Sequence, residues 1–340
     1  MSDRKYDIAV VGVTGVVGEV IMDILSQREF PIGDLYPLAS ERSAGDTISF
    51  NDKPLYVQDV AEFDFANVDI AFFSAGSEVS KKYVPIAAEQ GCIVIDNTSE
   101  FRMDPTVPLV VPEVNADLLK DLPEQQIIAN PNCSTIQMAV ALKAIYDEVG
   151  IDRINVATYQ AVSGAGKKAI DELARQTADL LNGASLTTEV FPKQIAFNLF
   201  PDIDVMQSNG YTREEMKMVQ ETQKIFNDDR IKVNPTAVRV PVFYGHSEAI
   251  HIETTQHLSV ETAAELLKSS LGVIYMEKDY PTPITDGSSQ DAVYVGRLRQ
   301  DISHPNGLCM WVVADNIRKG AALNAVQIAE MVINYQRLLH

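Results

Sequence analysis

Asp7-Ile8-Ala9-Val10-Val11-Gly12-Val13-Thr14-Gly15-Val16-Val17-Gly18 is the stretch that decides the fold. Its first half is apolar without alternation, which reads as a strand covered on both faces over residues 7–13. A G-x-x-G-x-x-G turn follows, and a helical pattern runs on to about Ser26. Gly15 lets the backbone approach a pyrophosphate, and Gly18 lets the helix pack tightly on the strand. The helix N-terminus offers N–H donors to phosphate oxygens. Val13-Thr14 makes the first interval one residue longer than in the commoner G-x-G-x-x-G. A glycine turn that binds nothing is the plain alternative. Its place directly behind a first buried strand favours a dinucleotide instead.

Outward from this turn, strand and helix patterns alternate. Strands are expected over 35–39, 68–74, 92–96, 109–111 and 126–129, with a helix over 78–90. Such alternation gives a parallel, doubly wound α/β sheet. Past residue 133 the pattern changes. A long alternating strand is expected over 153–162, with others over 237–243, 249–255, 292–298 and 310–314, and a helix over 172–181. Longer alternating strands with fewer helices between them suggest an open sheet with helices on one face, a second α+β domain. Residues 320–339 read as one amphipathic helix.

Composition narrows the function classes. A length of 340 residues is long for one core, so two domains are expected. A net charge of −19 argues against non-specific binding to nucleic acid or an anionic membrane. No apolar run approaches the ~18 residues that span a bilayer. The opening residues enter a strand almost at once, without signal-peptide architecture. Cys92, Cys133 and Cys309 are too few and too scattered for a disulfide framework or a zinc site. A cytoplasmic protein without metal is therefore expected.

Asn130-Pro131-Asn132-Cys133-Ser134-Thr135 precedes a helical pattern, which places Cys133 in or near a helix's first turn. Free N–H groups and the dipole there favour thiolate, the form that attacks carbonyl carbon. A buried structural cysteine is the bland alternative. A thiolate beside a nicotinamide points to aldehyde oxidation through a thioester, which needs a proton-transferring group near sulfur. Of His246, His251, His257, His304 and His340, position ranks His246 first and His304 second. Arg239 lies in an apolar strand and calls for a carboxylate, either internal or a ligand's. Glu214 and Lys217 share a helix face at i, i+3, where a solvated pair is the default. After the second strand, Arg42 with Ser40 and Ser43 suits a 2′-phosphate and hence NADP, although Glu41 adjoins and would suit NAD.

Taken together, the glycine turn, the Asn-Pro-Asn-Cys-Ser-Thr segment, Tyr159-Gln160-Ala161-Val162-Ser163-Gly164-Ala165-Gly166, Arg239 with His246, and Val313-Ala314-Asp315-Asn316-Ile317-Arg318-Lys319-Gly320 resemble the aspartate-β-semialdehyde dehydrogenase family. The resemblance runs the length of the chain. It implies a Rossmann-type NADP-binding domain over 1–129 completed by the helix 320–340, and a catalytic domain over 130–319 whose mixed sheet forms a homodimer. It implies that Cys133 carries the acyl-thioester, that His246 is the acid/base and that Gln160 orients substrate or thioester. Arg239 would hold the substrate α-carboxylate and Glu214 its amino group, while Arg102 and Lys217 would bind phosphate. Gly12, Thr14, Gly15, Val16, Val17, Arg42, Ser43, Ser163, Gly164 and Asn316 would contact NADP. The implied reaction is reversible phosphorylating oxidation of L-aspartate 4-semialdehyde to 4-aspartyl phosphate, in the synthesis of lysine, methionine, threonine and isoleucine. Two rivals share much of this pattern: another acyl-phosphate reductase, such as one for N-acetylglutamyl phosphate, and a non-catalytic NADP-binding sensor.

Overall fold

The computed structural model describes residues 4–122 and 124–338, so His340 and the end of the helix expected over 320–339 lie outside it. The chain divides into two compact units, residues 1–132 with 321–340 and residues 133–320.

The first unit is built on β1 (Tyr6–Val11), β2 (Ile32–Ala39), β3 (Gln58–Asp59), β4 (Ile70–Phe73), β5 (Ile93–Asp96) and β6 (Ile127–Ala129). These six strands pair in parallel in the order β3-β2-β1-β4-β5-β6. The order reverses beside β1, and such a reversal opens a crevice at the strands' C-terminal ends. Helix α1 (Val16–Gln27) buries Ile21, Met22, Ile24 and Leu25, the spacing that turns one apolar face to the sheet. Helix α2 (Ser77–Glu89) follows β4. Ile8 and Val10 of β1 share one core with Ile21 and Leu25 of α1 and with Val326, Ala329 and Val332 of the chain's last helix.

The second unit begins with α3 (Cys133–Val149) and carries β7 (Ile151–Gln160), α4 (Lys167–Leu181), α5 (Arg213–Phe226), β8 (Lys232–Arg239), β9 (His246–Thr254), α6 (Val260–Ser269), β10 (Val273–Met276), β11 (Val293–Gln300) and β12 (Gly307–Ala314). The chain then returns to the first unit as α7 (Leu323–Leu338). The second sheet runs β8-β7-β9-β12-β11-β10. It is mixed: β8 with β7 and β10 with β11 are parallel, and the three central pairings are antiparallel. Thr212 caps α5 in a reciprocal box with Glu215, and Asn227 ends it in the left-handed region at φ 50°.

Three expectations shift. The strand expected over 237–243 ends at Arg239, because Pro241 has no N–H to give a ladder and Val242 N–H turns back to the Val240 carbonyl (2.9 Å). Arg239 is therefore the last residue of β8, and β9 opens at His246, three residues before the strand expected from 249. Residues 109–111 form only a single bridge, Leu109 to Ala129, before Pro112 starts a short helix.

Candidate active site

In the first unit, absent side chains shape a cradle. Gly12 has φ +89°, and a Cβ on it would lie 2.9 Å from the Ala75 nitrogen. A Cβ on Gly18 would lie 2.2 Å from the Gly12 carbonyl oxygen. Both neighbours are backbone and cannot move aside, so only glycine keeps α1 this close to the turn. A cleft of about 460 Å³ opens there, lined by Gly12, Thr14, Gly15, Ser40, Ser74 and Ala75 among others. Val16 and Val17 start α1, whose first-turn N–H groups face the turn. Arg42 and Ser43 sit in the short helical turn after β2, Arg42 exposed. A backbone cradle at a helix N-terminus, with a guanidinium past β2, fits a dinucleotide diphosphate. Arg102, also in this unit, is buried and held by the Asn130 and Asn97 carbonyls (2.9 and 2.8 Å).

In the second unit, the sequence-chosen side chains gather around Ala161 and Gly164. Cys133 is the first residue of α3 and is partly exposed, whereas Cys92 and Cys309 are buried. Ala161 N–H donates to His246 Nδ1 (3.0 Å), and Arg239 Nη1 donates to the Ala161 carbonyl (2.6 Å). One peptide residue thus orients both. A Cβ on Gly164 would lie 3.3 Å from Arg239 Nη1 and 3.4 Å from His246 Nε2, so this glycine leaves both groups a clear approach. Gln160 is tied at both ends, accepting from Thr158 Oγ1 (3.3 Å) and donating to Glu214 Oε1 (3.0 Å). Asn316 accepts from Gly245 N–H (2.9 Å) and bonds the Ser163 hydroxyl.

Charge and protonation follow from burial. His246 is fully buried; desolvation first, then the Arg239 charge, push its pKa down to about 3. It is therefore neutral. Because Nδ1 accepts from Ala161, the ring proton lies on Nε2, which has no partner among the described residues. Arg239 is buried against the Phe191 ring, and no carboxylate among the described residues lies within ion-pair distance. Burial lowers its pKa, while Glu214 and Cys133 act in the other direction.

Glu214 Oε2 meets Lys217 Nζ (3.0 Å), and Lys217 also meets Asp204 (2.9 Å). Burial works against the Lys217 charge, yet these two carboxylates hold its pKa above the ordinary value. Glu215 is occupied elsewhere: its carboxylate accepts from Thr212 N–H (2.7 Å) and Ala237 N–H (3.0 Å). Of the adjacent pair, Glu214 is the one beside Gln160.

Matches to known proteins agree with this layout. Residues 7–122 match the family model described as semialdehyde dehydrogenase, NAD binding domain, and residues 142–319 the one described as semialdehyde dehydrogenase, dimerisation domain. An aspartate-semialdehyde dehydrogenase of Shewanella violacea is 59% identical, covering 97% of this chain and 98% of that protein. The chain belongs to the aspartate-semialdehyde dehydrogenase family. A solved member, aspartate semialdehyde dehydrogenase II of Vibrio cholerae complexed with ASA, superposes with a TM-score of 0.96 at 58% identity, over 97% of this chain and 99% of that one. The Candida albicans enzyme, solved with NADP, gives 0.76 at 25% identity, over 98% and 99%.

Seen as an aspartate-semialdehyde dehydrogenase family member, the chain has further residues at this site that sequence reasoning did not single out for it. Ala161 acts only through its backbone. A Cβ on Gly320 would lie 2.8 Å from Cys133 Cβ, so Gly320 makes room beside the sulfur-bearing carbon. Glu248, two residues after His246 on β9, is fully buried with its pKa raised well above the ordinary value, by desolvation. Gln137, one turn after Cys133, lies near enough to oppose that rise, although no hydrogen-bond geometry joins the two side chains. Burial thus favours the protonated form of the Glu248 carboxyl.

Proposed function

We propose that this chain catalyses reversible, phosphate-dependent oxidation of L-aspartate 4-semialdehyde to 4-aspartyl phosphate with NADP, through an acyl-thioester on Cys133. The observation that carries the reading is Arg239: a buried cation without an internal carboxylate, with anionic Glu214 near enough to act on it. A site offering one buried cation and one anion matches the carboxylate and ammonium of a free α-amino acid. An N-acetylated amine would leave Glu214 facing a neutral amide, which disfavours the N-acetylglutamyl rival.

In the oxidative direction the Cys133 thiolate adds to the aldehyde carbon and its oxygen becomes an alkoxide. His246, neutral with its proton on Nε2, donates a hydrogen bond to that oxyanion. This suits the acid side of the acid/base role. Bound NADP supplies the hydride acceptor, and the substrate carbon rises to the thioester oxidation level. Phosphate then attacks the thioester carbonyl, the C–S bond breaks, and Cys133 leaves as thiolate. The proton released comes from hydrogen phosphate, so the balance closes without a second base. Gln160, fixed by Thr158 and Glu214, keeps the acyl group in register with sulfur.

Gly12, Thr14, Gly15, Val16 and Val17 would hold the diphosphate, and Arg42 with Ser43 the 2′-phosphate. Ser163, Gly164 and Asn316 would face the nicotinamide end. Arg102 and Lys217 would bind phosphate; Arg102 is held by two backbone carbonyls and Lys217 by two carboxylates. The half-buried face of the second sheet, with Tyr159 against Trp311, would pair two copies into a homodimer.

The test is NADPH formation from the semialdehyde with and without phosphate, run beside NAD and beside N-acetylglutamate semialdehyde. Turnover that requires phosphate and prefers NADP and the free amine is expected. Turnover only with the acetylated substrate, or with neither, overturns the reading.

A further inference from the structure

Between α4 and α5, residues 184–199 form neither helix nor strand. Backbone groups buried in such a stretch must find partners outside any ladder. Two side chains of α4 supply them. Glu172 and Gln176 stand one turn apart on the same face of the helix, and both are buried. The Glu172 carboxylate accepts from Glu189 N–H (3.1 Å) and Val190 N–H (2.5 Å). Gln176 Nε2 donates to Glu172 Oε1 (3.0 Å) and to the Thr187 carbonyl (3.0 Å). Its Oε1 accepts from Ile195 N–H (2.9 Å) and Ala196 N–H (3.2 Å). Both donors and both acceptor positions of this amide are thus in use. The bonded positions bracket Phe191 on either side.

The strap so held reaches Arg239 twice. The Phe191 ring centroid lies 6.0 Å from the guanidinium carbon, and Phe191 meets Phe200 edge to face at 5.7 Å. Phe200 N–H donates to the Arg239 carbonyl (3.1 Å), and Arg239 N–H to the Phe200 carbonyl (2.9 Å). Phe191, Ile195 and Phe200 share a small core with Val162, Ala169 and Leu173. One irregular segment therefore holds the Arg239 backbone and backs its guanidinium with a ring.

We propose that Glu172 and Gln176 are positioning residues, which act through this strap and Phe191 to fix the Arg239 guanidinium and so set the preference for an aldehyde that carries an α-carboxylate; this rests on Arg239 being the seat of that carboxylate. A two-point grip on a carboxylate needs the guanidinium plane fixed. The Ala161 carbonyl holds one corner, Nη1. A single hydrogen bond leaves the plane free to turn about it. The Phe191 face limits that turn and keeps water from the cation. Neither α4 residue touches substrate in this scheme.

The experiment is steady-state kinetics of the full-length enzyme at saturating NADP and phosphate. The substrates are L-aspartate 4-semialdehyde and 3-aminopropanal, the same aldehyde without its carboxylate. Gln176→Leu keeps the bulk but strips the partner from Thr187, Ile195 and Ala196. Phe191→Leu removes the ring and leaves the bonds from α4 in place. Each should raise the semialdehyde KM about tenfold with kcat within about threefold, and leave kcat/KM for 3-aminopropanal within about twofold. Glu172→Gln, which keeps one acceptor oxygen, should raise that KM by about threefold. An unchanged semialdehyde KM, or an equal loss on both aldehydes, overturns the positioning role. Where Gln176→Leu fails to fold, Phe191→Leu decides. Arg239→Lys should lose the preference for the carboxylate-bearing aldehyde outright. A preference kept in Arg239→Lys removes the carboxylate seat and the positioning role with it. A preference lost there but kept in both Gln176→Leu and Phe191→Leu removes the positioning role alone.

Discussion

The glycine cradle of the first unit and the charged cluster of the second are built from opposite materials. Between Gly12 and Gly18 the chain makes room by leaving side chains out, and backbone atoms stand where a Cβ would go. Around Ala161 it buries groups that water would hold better: a guanidinium, an imidazole and, two residues along β9, a carboxyl. The first construction is steric and carries no titration. The second depends on protonation state, so its stability and chemistry respond to pH. Substitutions should therefore act through shape in one region and through charge in the other.

The largest expected effect separates the regions outright. Cys133→Ser should lower turnover by on the order of 10⁴-fold or more, with NADP affinity and Tm unchanged. Gly18→Ala leaves every reacting side chain in place but drives a Cβ into the Gly12 carbonyl; it should destabilise by about 1–3 kcal/mol and weaken NADP binding. Calorimetric titration and thermal melts read both. Cofactor affinity lost in the first variant, or kept in the second, would break the division.

His246→Ala should cost on the order of 10²–10³ in kcat with little change in KM, the loss of an oxyanion donor. The same residue sets a pH signature. Folded, it stays neutral down to about pH 3; unfolded, it takes a proton near its ordinary value of 6.5. Its contribution to stability is present above that ordinary value and is lost as pH falls toward 3. Denaturant melts of His246→Asn across that window should show a flatter acid limb than the parent protein.

Gly320→Ala should act more mildly. The added Cβ falls 2.8 Å from Cys133 Cβ and 3.3 Å from its Cα, so the first turn of α3 must shift by a fraction of an ångström. A roughly tenfold loss of kcat is expected, since a displaced nucleophile loses orientation before it loses reactivity. Slower alkylation of Cys133 by iodoacetamide should accompany it. Unchanged kcat and alkylation would show that the glycine answers to packing alone.

How much of this was legible in the sequence follows the same division. The cradle was legible because glycine spacing behind an apolar strand is a local signal, and Gly12, Gly15 and Gly18 each leave a mark. Cys133 was legible as a helix start. The Arg239 environment was only half legible: a lone arginine near an apolar run announces a partner, but the run's end at Pro241 decides where the guanidinium points. Glu214 and Glu215 adjoin; the i, i+3 spacing to Lys217 points to Glu214, and the capping box, which occupies Glu215, agrees. Ala161 could not be read at all, because its N–H and carbonyl do the orienting and every residue has those. Two of the missed pieces, β10 and β3, are short strands held by pairing to β11 and β2 rather than by their own periodicity, whereas α6 carries a Ser259 cap and a buried stripe of Ala263, Ala264 and Leu267 that a reading of the sequence could have found.

The smallest effect is the sharpest test of the charge side. Glu248 is buried without a hydrogen bond of good geometry, and desolvation raises its pKa, which favours the protonated form. Unfolded, the same carboxyl ionises near its ordinary value of 4.5. Above that pH the folded chain holds a proton that the unfolded chain has released, so stability falls as pH rises toward the folded pKa. His246 weakens the second unit on the acid side and Glu248 on the alkaline side. Glu248→Gln keeps the shape and removes the titration. Melts at about pH 8 should therefore show Tm unchanged or raised by a few degrees, with kcat within about twofold. A large loss of kcat would mean that the carboxyl exchanges its proton during turnover, and the neutral-spacer reading of Glu248 would fall while the steric reading of the cradle stood.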